Sequence, residues 1–337
     1  MGRTGRGAAL TRRRQYDEDD VRVRPGRGTR PRTRIRPKHA DAVDGFVVTV
    51  DRGRYTCRVA DGRDVTAMRA RELGRKGVVV GDKVSLVGDT SGSAGSLARI
   101  VRIAERYGQL RRTADDDDTT ERIIVANVDQ LVVVASLADP PPRTGFIDRC
   151  LVAAFDADIP VLLCLTKEDL EDGSLAEVHH YYGDLEVDSV TCRPDGPLGE
   201  LRDKLRGRLS VLIGHSGVGK STLVNRLVPA ADRDVGVVSA IGKGRHTSTS
   251  AIAVELPSGG WIVDTPGVRS FGLAHVSADS LLHAFGDLAE VATGCPRGCD
   301  HTGATGDCAL DGLRDADGNL PQRVVSYRRL LDSLTGQ

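Results

Sequence analysis

The chain has 337 residues, an apolar fraction of 39%, and 47 basic against 47 acidic side chains. That length allows two or three cores, and the apolar fraction suits a globular protein. The longest apolar runs, such as LVVVASLA at residues 131–138, are too short to cross a bilayer, so membrane-spanning functions are excluded and no membrane partner is expected.

The zero net charge hides an asymmetry. Residues 1–39 hold 13 Lys/Arg against 4 Asp/Glu, which leaves a matching acidic excess on the rest of the chain. This arm has too few apolar side chains to repay ordering and is expected to be disordered when free. A basic arm on an acidic body points to a polyanionic partner, most simply RNA. No apolar signal-peptide core begins the chain, and the acidic DEDD at 17–20 argues against a transit peptide, so the expected location is cytoplasmic. Cys57, Cys150, Cys164 and Cys192 are scattered and read as packed thiols, whereas Cys295, Cys299 and Cys308 cluster.

Residues 40–106 carry five short strand-like runs: GFVVTV, RYTCRVA, DVTAMRA, GVVVGDKVSLVG and LARIVRI. Turn signals separate them, which suggests a small closed barrel such as the OB-fold. Its only aromatics are Phe46 and Tyr55, so base stacking would contribute little and charge contacts more. The acidic run TADDDDTTE at 113–121 reads as a solvated linker. Across residues 107–275, continuous apolar runs such as VLLCLT and LSVLIG alternate with helical patterns, as a doubly wound, largely parallel sheet requires. Residues 276–337 become helical around the Cys/His cluster.

Three segments carry the chemistry of a nucleotide site. The stretch GHSGVGKST runs Gly214, His215, Ser216, Gly217, Val218, Gly219, Lys220, Ser221 and Thr222 between an apolar strand and an amphipathic helix. Its glycines let successive N–H groups face phosphate oxygens, Lys220 would reach the outer phosphates, and Ser221 would bind Mg²⁺. The strand in WIVDTPG ends at Asp264, placed to hold Mg²⁺ through water, and the Gly267 N–H would sense a γ-phosphate. Thr166, Lys167, Glu168 and Asp169 form a base-reading loop. There the Asp169 carboxylate would accept two N–H bonds from a guanine edge, and Lys167 would cover the ring. Adenine lacks that donor pair, so the loop selects GTP over ATP. SVTCRP at 189–194 sits where a second base-contacting loop would follow but matches that role poorly. The base loop lies 48 residues before the phosphate loop, the reverse of the usual order, as in a domain whose old ends were joined and a new break opened. The loop at 264–267 then leads directly into the C-terminal module, so a switch there could move that module.

The cluster CPRGCDHTGATGDC spaces Cys295, Cys299, His301 and Cys308 as a three-thiolate, one-imidazole set for one structural Zn²⁺.

These segments, with ANVDQ (126–130) and GRHTSTS (244–250), closely resemble the circularly permuted small-ribosomal-subunit-dependent GTPases (RsgA, also called YjeQ) over about residues 43–330. The resemblance implies an OB barrel, a permuted P-loop GTPase domain and a mainly helical zinc domain. It also implies GTP hydrolysis to GDP stimulated by the small ribosomal subunit, rRNA contact, and release on hydrolysis in late subunit assembly. GRHTSTS would then be the switch segment, with Thr247 or Thr249 completing the Mg²⁺ shell. His215 stands where the family more often has a polar amide, and the first gap of the zinc motif is one residue shorter. Val268, directly after Asp-x-x-Gly, cannot orient water. His246 is therefore the candidate water-positioning group. The protein is expected to act as a monomer. The competing readings are an RNA-binding module with a structural nucleotide site, and a permuted GTPase serving another ribonucleoprotein.

Overall fold

Along the strands Gln130–Ser136 (β8) and Val161–Thr166 (β9), every residue is apolar or buried. Side chains alternate in direction along a strand, so both faces of such a sheet must be covered. The structure, a computed structural model, describes residues 39–74, 77–113, 121–170, 174–183, 185, 187–229, 251–264, 276–303, 306–318 and 320–335.

The sheet covers both faces as required. Leu131, Val133, Ala135, Leu163, Leu165, Val211 and Ile213 point to one side and pack with the helix Thr144–Asp156 (α1). Val132, Val134, Leu162, Cys164 and Leu212 point to the other. There they meet the helices Gly199–Leu205 (α3) and Lys220–Leu227 (α4). The remaining strands of this region are Asp188–Cys192 (β10), Leu209–Ile213 (β11), Ile252–Glu255 (β12) and Trp261–Asp264 (β13). Their spatial order is β10-β9-β8-β11-β13-β12, with all neighbours parallel except β12 against β13. From β8 the chain winds outward to β9 and β10, then returns to β8's other side with β11. That reversal opens a crevice beyond the strands' carboxyl ends. A helix at Ser174–Tyr182 (α2) lies between β9 and β10 in the chain.

The N-terminal strands are Val43–Asp51 (β1), Arg54–Val59 (β2), Asp64–Arg69 (β3), Lys83–Gly88 (β4) and Ala98–Ile103 (β5). They pair β1-β2-β3-β5-β4, and β1 pairs back with β4, which closes a five-stranded OB-like barrel. It has its own core, including Val47, Cys57, Val65, Leu86 and Ile100. Burial, and behind it the Asp64 charge, pushes the Cys57 thiol up to about 12, so it is inert packing. The acidic run does not join two separate bodies. It connects Leu110–Thr113 (β6) and Glu121–Val125 (β7), which pair with each other; residues 114–120 lie outside the described residues.

The barrel and the parallel sheet are continuous. Thr49 of β1 pairs with Ile252 of β12. Phe46 packs on Trp261 with centroids 5.1 Å apart, and Arg58 lies 5.3 Å over the same indole while pairing with Asp64 and Glu255. Both barrel aromatics are committed to packing, since Tyr55 is also buried. ANVDQ forms the second joint. Asn127, at φ 56°, donates from Nδ2 to the Gly81 carbonyl at 2.8 Å and accepts the Tyr107 N–H at 3.2 Å. Asp129 accepts the Leu209 N–H at 2.7 Å, at the root of β11. A side chain at Gly81 would run into the Ala126 carbonyl. The Gly81 turn itself is held by Asp82, fully buried, which accepts Arg106 Nε and Nη2 at 2.7 and 2.8 Å and the Val79 N–H at 2.8 Å.

The C-terminal helices Ala278–His283 (α5), Gly286–Ala292 (α6) and Leu320–Thr335 (α7) share one core with α1 and the sheet. Phe285 links Phe155 and Tyr327 edge-on at 6.1 and 5.6 Å. Arg329 of α7 pairs with buried Asp148 of α1 at 3.3 Å and lies 5.1 and 5.2 Å over Tyr181 and Tyr182. Burial pushes the Asp148 carboxyl up, against the pull of Arg329. No helix among the described residues is long and apolar enough to cross a membrane.

Removing one partner of a buried ion pair strands the other. Arg106→Ala is therefore expected to lower stability by about 3 kcal/mol, read as a drop in the denaturant midpoint.

Candidate GTP site and metal centre

The phosphate loop is shaped by where β11 must turn. A Cβ on Gly214 would stand 2.5 Å from the Val134 carbonyl, so the chain can leave the sheet there only without a side chain. Gly217 and Gly219 have φ of 88° and 85°, the left-handed region that L side chains avoid. Gly219 caps α4 without a side-chain bond, which leaves the first-turn N–H groups free for an anion. Val218 is fully buried and offers only backbone. Ser216, Gly217, Ser221 and Thr222 are exposed. His215 sits edge-on to Phe146 at 5.8 Å, its Nδ1 3.0 Å from the Ser216 carbonyl.

The base loop is tied to this loop. Thr166, at the end of β9, donates its hydroxyl to the Val218 carbonyl at 2.6 Å, with the Ala135 carbonyl at 3.2 Å. Its side chain is buried and braces the two loops against each other. Lys167 adopts φ 58° and its Nζ donates to the Asp139 carbonyl. Glu168 and Asp169 begin a short 3-10 turn, with Asp169 exposed. Beneath the loop, Cys164 lies 3.8 Å from Cys192. That contact and burial hold the Cys164 thiol well above its ordinary range.

The third segment closes the set. Asp264, at the end of β13, lies 3.6 Å from Lys220 Nζ through Oδ1. That separation makes an ion pair but not a hydrogen bond, and the same Oδ1 is buried with no hydrogen-bond partner among the described residues. An orphaned carboxylate oxygen beside the phosphate-loop lysine fits a hydrated Mg²⁺, with Ser221 in the adjoining first turn as the other donor. The three segments written out of their usual order therefore meet on one sheet edge. Gly267, His246, Thr247 and Thr249 lie outside the described residues, as does Val268.

Two residues absent from the sequence reading join this region. Arg193 Nε donates to Glu168 Oε2 at 2.9 Å. Arg226 of α4 donates to the Arg193 carbonyl at 2.7 Å and to the Gly196 carbonyl. Arg193 belongs to the SVTCRP segment, whose position hinted at such a role. Nothing in the sequence marks Arg226 except its place on α4.

The four candidate zinc ligands come together in one cluster. The ligand atoms of Cys295, Cys299, His301 and Cys308 all lie within 4.8 Å of one another. Cys295 Sγ is 3.6 Å from His301 Nδ1 and 3.9 Å from Cys308 Sγ, and Cys308 Sγ is 3.8 Å from Nδ1. A tetrahedron with Zn–S near 2.3 Å has edges of about 3.8 Å, so the set fits one Zn²⁺ with no open position. His301 takes φ 59° to reach the cluster. Around it, the Ala309 N–H donates to Cys295 Sγ at 3.3 Å, and Arg328 of α7 donates to the His301 carbonyl at 3.0 Å.

Known proteins share these features. A family model described as RsgA GTPase matches residues 103–274. A small ribosomal subunit biogenesis GTPase RsgA of Chlorobaculum parvum is 34% identical over 308 residues, covering 87% of this chain and 99% of that protein. One of the same name from Pseudomonas aeruginosa is 41% identical over 220 residues, 63% of this chain and 64% of its own. Among solved structures, YjeQ from Thermotoga maritima superposes with a TM-score of 0.66 at 24% identity, over 88% of this chain and 99% of that one. YloQ, described as a circularly permuted GTPase, superposes with a TM-score of 0.65 at 23% identity, over 89% and 97%. These two likenesses establish the fold, including the permuted order of its loops.

Gly214→Ala is expected to weaken nucleotide binding by roughly tenfold or more, because the methyl must displace β8 or the loop; equilibrium titration with a fluorescent GDP measures this. Metal analysis is expected to find one zinc per chain. Cys308→Ser should lose it and melt roughly 5–10 °C lower, since the small module depends on its metal.

Proposed function

This chain belongs to the RsgA GTPase family, and on that premise we propose that it hydrolyses GTP in the biogenesis of the small ribosomal subunit. The observation that carries the reading is the convergence of three loops. Thr166 bonds to the phosphate loop, and Lys220 of that loop pairs with Asp264.

In this reading the phosphate-loop N–H groups from Gly214 to Thr222 cradle the phosphates. Lys220 neutralises the outer charge, and Ser221 and Asp264 would hold Mg²⁺, which would supply further positive charge against the phosphates. Asp169 reads the guanine edge, and Lys167 covers its face. Gly267 meets the γ-phosphate, and Thr247 or Thr249 completes the metal shell. His246 orients the attacking water in place of Val268, so turnover alone is slow and the partner completes the site. The arm 1–39 and the barrel 40–106 contact rRNA through charge. Residues 107–275 bind the nucleotide, and 276–337 hold Zn²⁺ and follow the nucleotide state. GTP keeps the protein on the subunit, hydrolysis to GDP releases it, and the chain works as a cytoplasmic monomer.

GTPase rate with and without purified small subunits tests this. A stimulation of roughly tenfold or more is expected, with binding that weakens steeply as salt rises. Equal rates in both conditions contradict it. Asp169→Asn is expected to shift preference from GTP toward xanthosine triphosphate, because the amide presents a donor where guanine offers its own N–H; competition binding of the two nucleotides reads this.

A further inference from the structure

The turn after β10, residues 193–196, has no residue that marks it as a base-contacting loop, yet it is held in place from two sides. β10 runs parallel to β9 with Cys192 opposite Thr166, so the turn emerges beside Lys167. On one side its Arg193 side chain bonds to Glu168 of the base loop at 2.9 Å. On the other, Arg226 of α4 grips two of its carbonyls, those of Arg193 at 2.7 Å and of Gly196. The turn closes on itself, with the Gly196 N–H donating to the Arg193 carbonyl at 3.3 Å. A Cβ on Gly196 would stand 3.0 Å from Arg193 Cβ. Arg202 of α3 in turn donates to the Arg226 carbonyl at 3.3 Å.

We propose that Arg226 is a positioning residue for guanine recognition: its guanidinium fork locks the 193–196 turn as the second wall of the base site. The proposal rests on the reading of residues 166–169 as the guanine-binding loop. A guanidinium presents two parallel donors in a rigid plane, and so fixes both the position and the rotation of a turn; an ammonium fixes one point. Arg226 stands on the helix that opens with Lys220 and Ser221. One short helix therefore joins the phosphate end of the site to the base end.

The test uses the full chain and follows release of a fluorescent GDP, discrimination between GTP and inosine triphosphate, and kcat at saturating GTP. Arg226→Ala and Arg226→Lys are both expected to speed GDP release roughly tenfold and to narrow the discrimination, with a smaller change in kcat than in KM. Arg193→Ala, at a 60% exposed side chain, cuts the other tie without touching the core. It should speed release about threefold at an unchanged melting temperature, and it serves if the Arg226 variants do not fold. Wild-type release from Arg226→Lys overturns the fork, and wild-type release from Arg226→Ala or Arg193→Ala overturns the proposal. Asp169→Asn runs alongside. If it abolishes guanine preference while the arginine variants keep it, only the positioning role falls. If it leaves guanine preference intact, the base-loop reading falls and takes the proposal with it.

Discussion

Parallel strands end together, and here the Thr166–Asp169 loop, the phosphate loop and Asp264 all stand at the carboxyl edge of one sheet. The bond from Thr166 to the Val218 carbonyl joins the 166–169 loop to the phosphate loop across that edge. Because adjacency is set by strand pairing and not by chain order, the base loop can precede the phosphate loop without altering the site. What the permutation changes is what each loop is attached to. The strand ending at Asp264 is followed in sequence by the C-terminal helices, and β12 is the strand that meets the barrel.

Those attachments tie the barrel, sheet and C-terminal helices together. Arg58 and Phe46 enclose Trp261 at one joint, while Asn127 and the Gly81 turn make another. At the far side, Asp148 and Arg329 are joined across the packing of α7 on α1, with Tyr181 and Tyr182 covering the guanidinium. The C-terminal helices share their core with α1, the helix that follows β8. A displacement of that module therefore has to carry α1 with it or break a buried ion pair, which is costly.

Much of the site was legible in the sequence because its chemistry demands particular residues at fixed spacing. A glycine that must pass a carbonyl, as at Gly214, a lysine at the start of a helix, and three cysteines with a histidine leave little choice of residue. Arg226 was not legible, and Arg193 only through its place in the SVTCRP segment. An arginine on a helix face has no spacing signature, and its partners are backbone carbonyls about 30 residues away in the chain. The ANVDQ segment was visible as a motif, but its work as a joint between barrel and sheet was not.

By itself the sequence determined the strand and helix types, through apolar runs and their period, and it named candidate nucleotide and metal ligands through residue chemistry. Only the tertiary structure decided which strands neighbour one another, that the acidic run connects the paired strands β6 and β7, and that the C-terminal helices share a core with the GTPase sheet. The physical reason is that local pattern reports which face of an element is buried, whereas the partner that buries it is chosen by contacts between segments far apart in the chain.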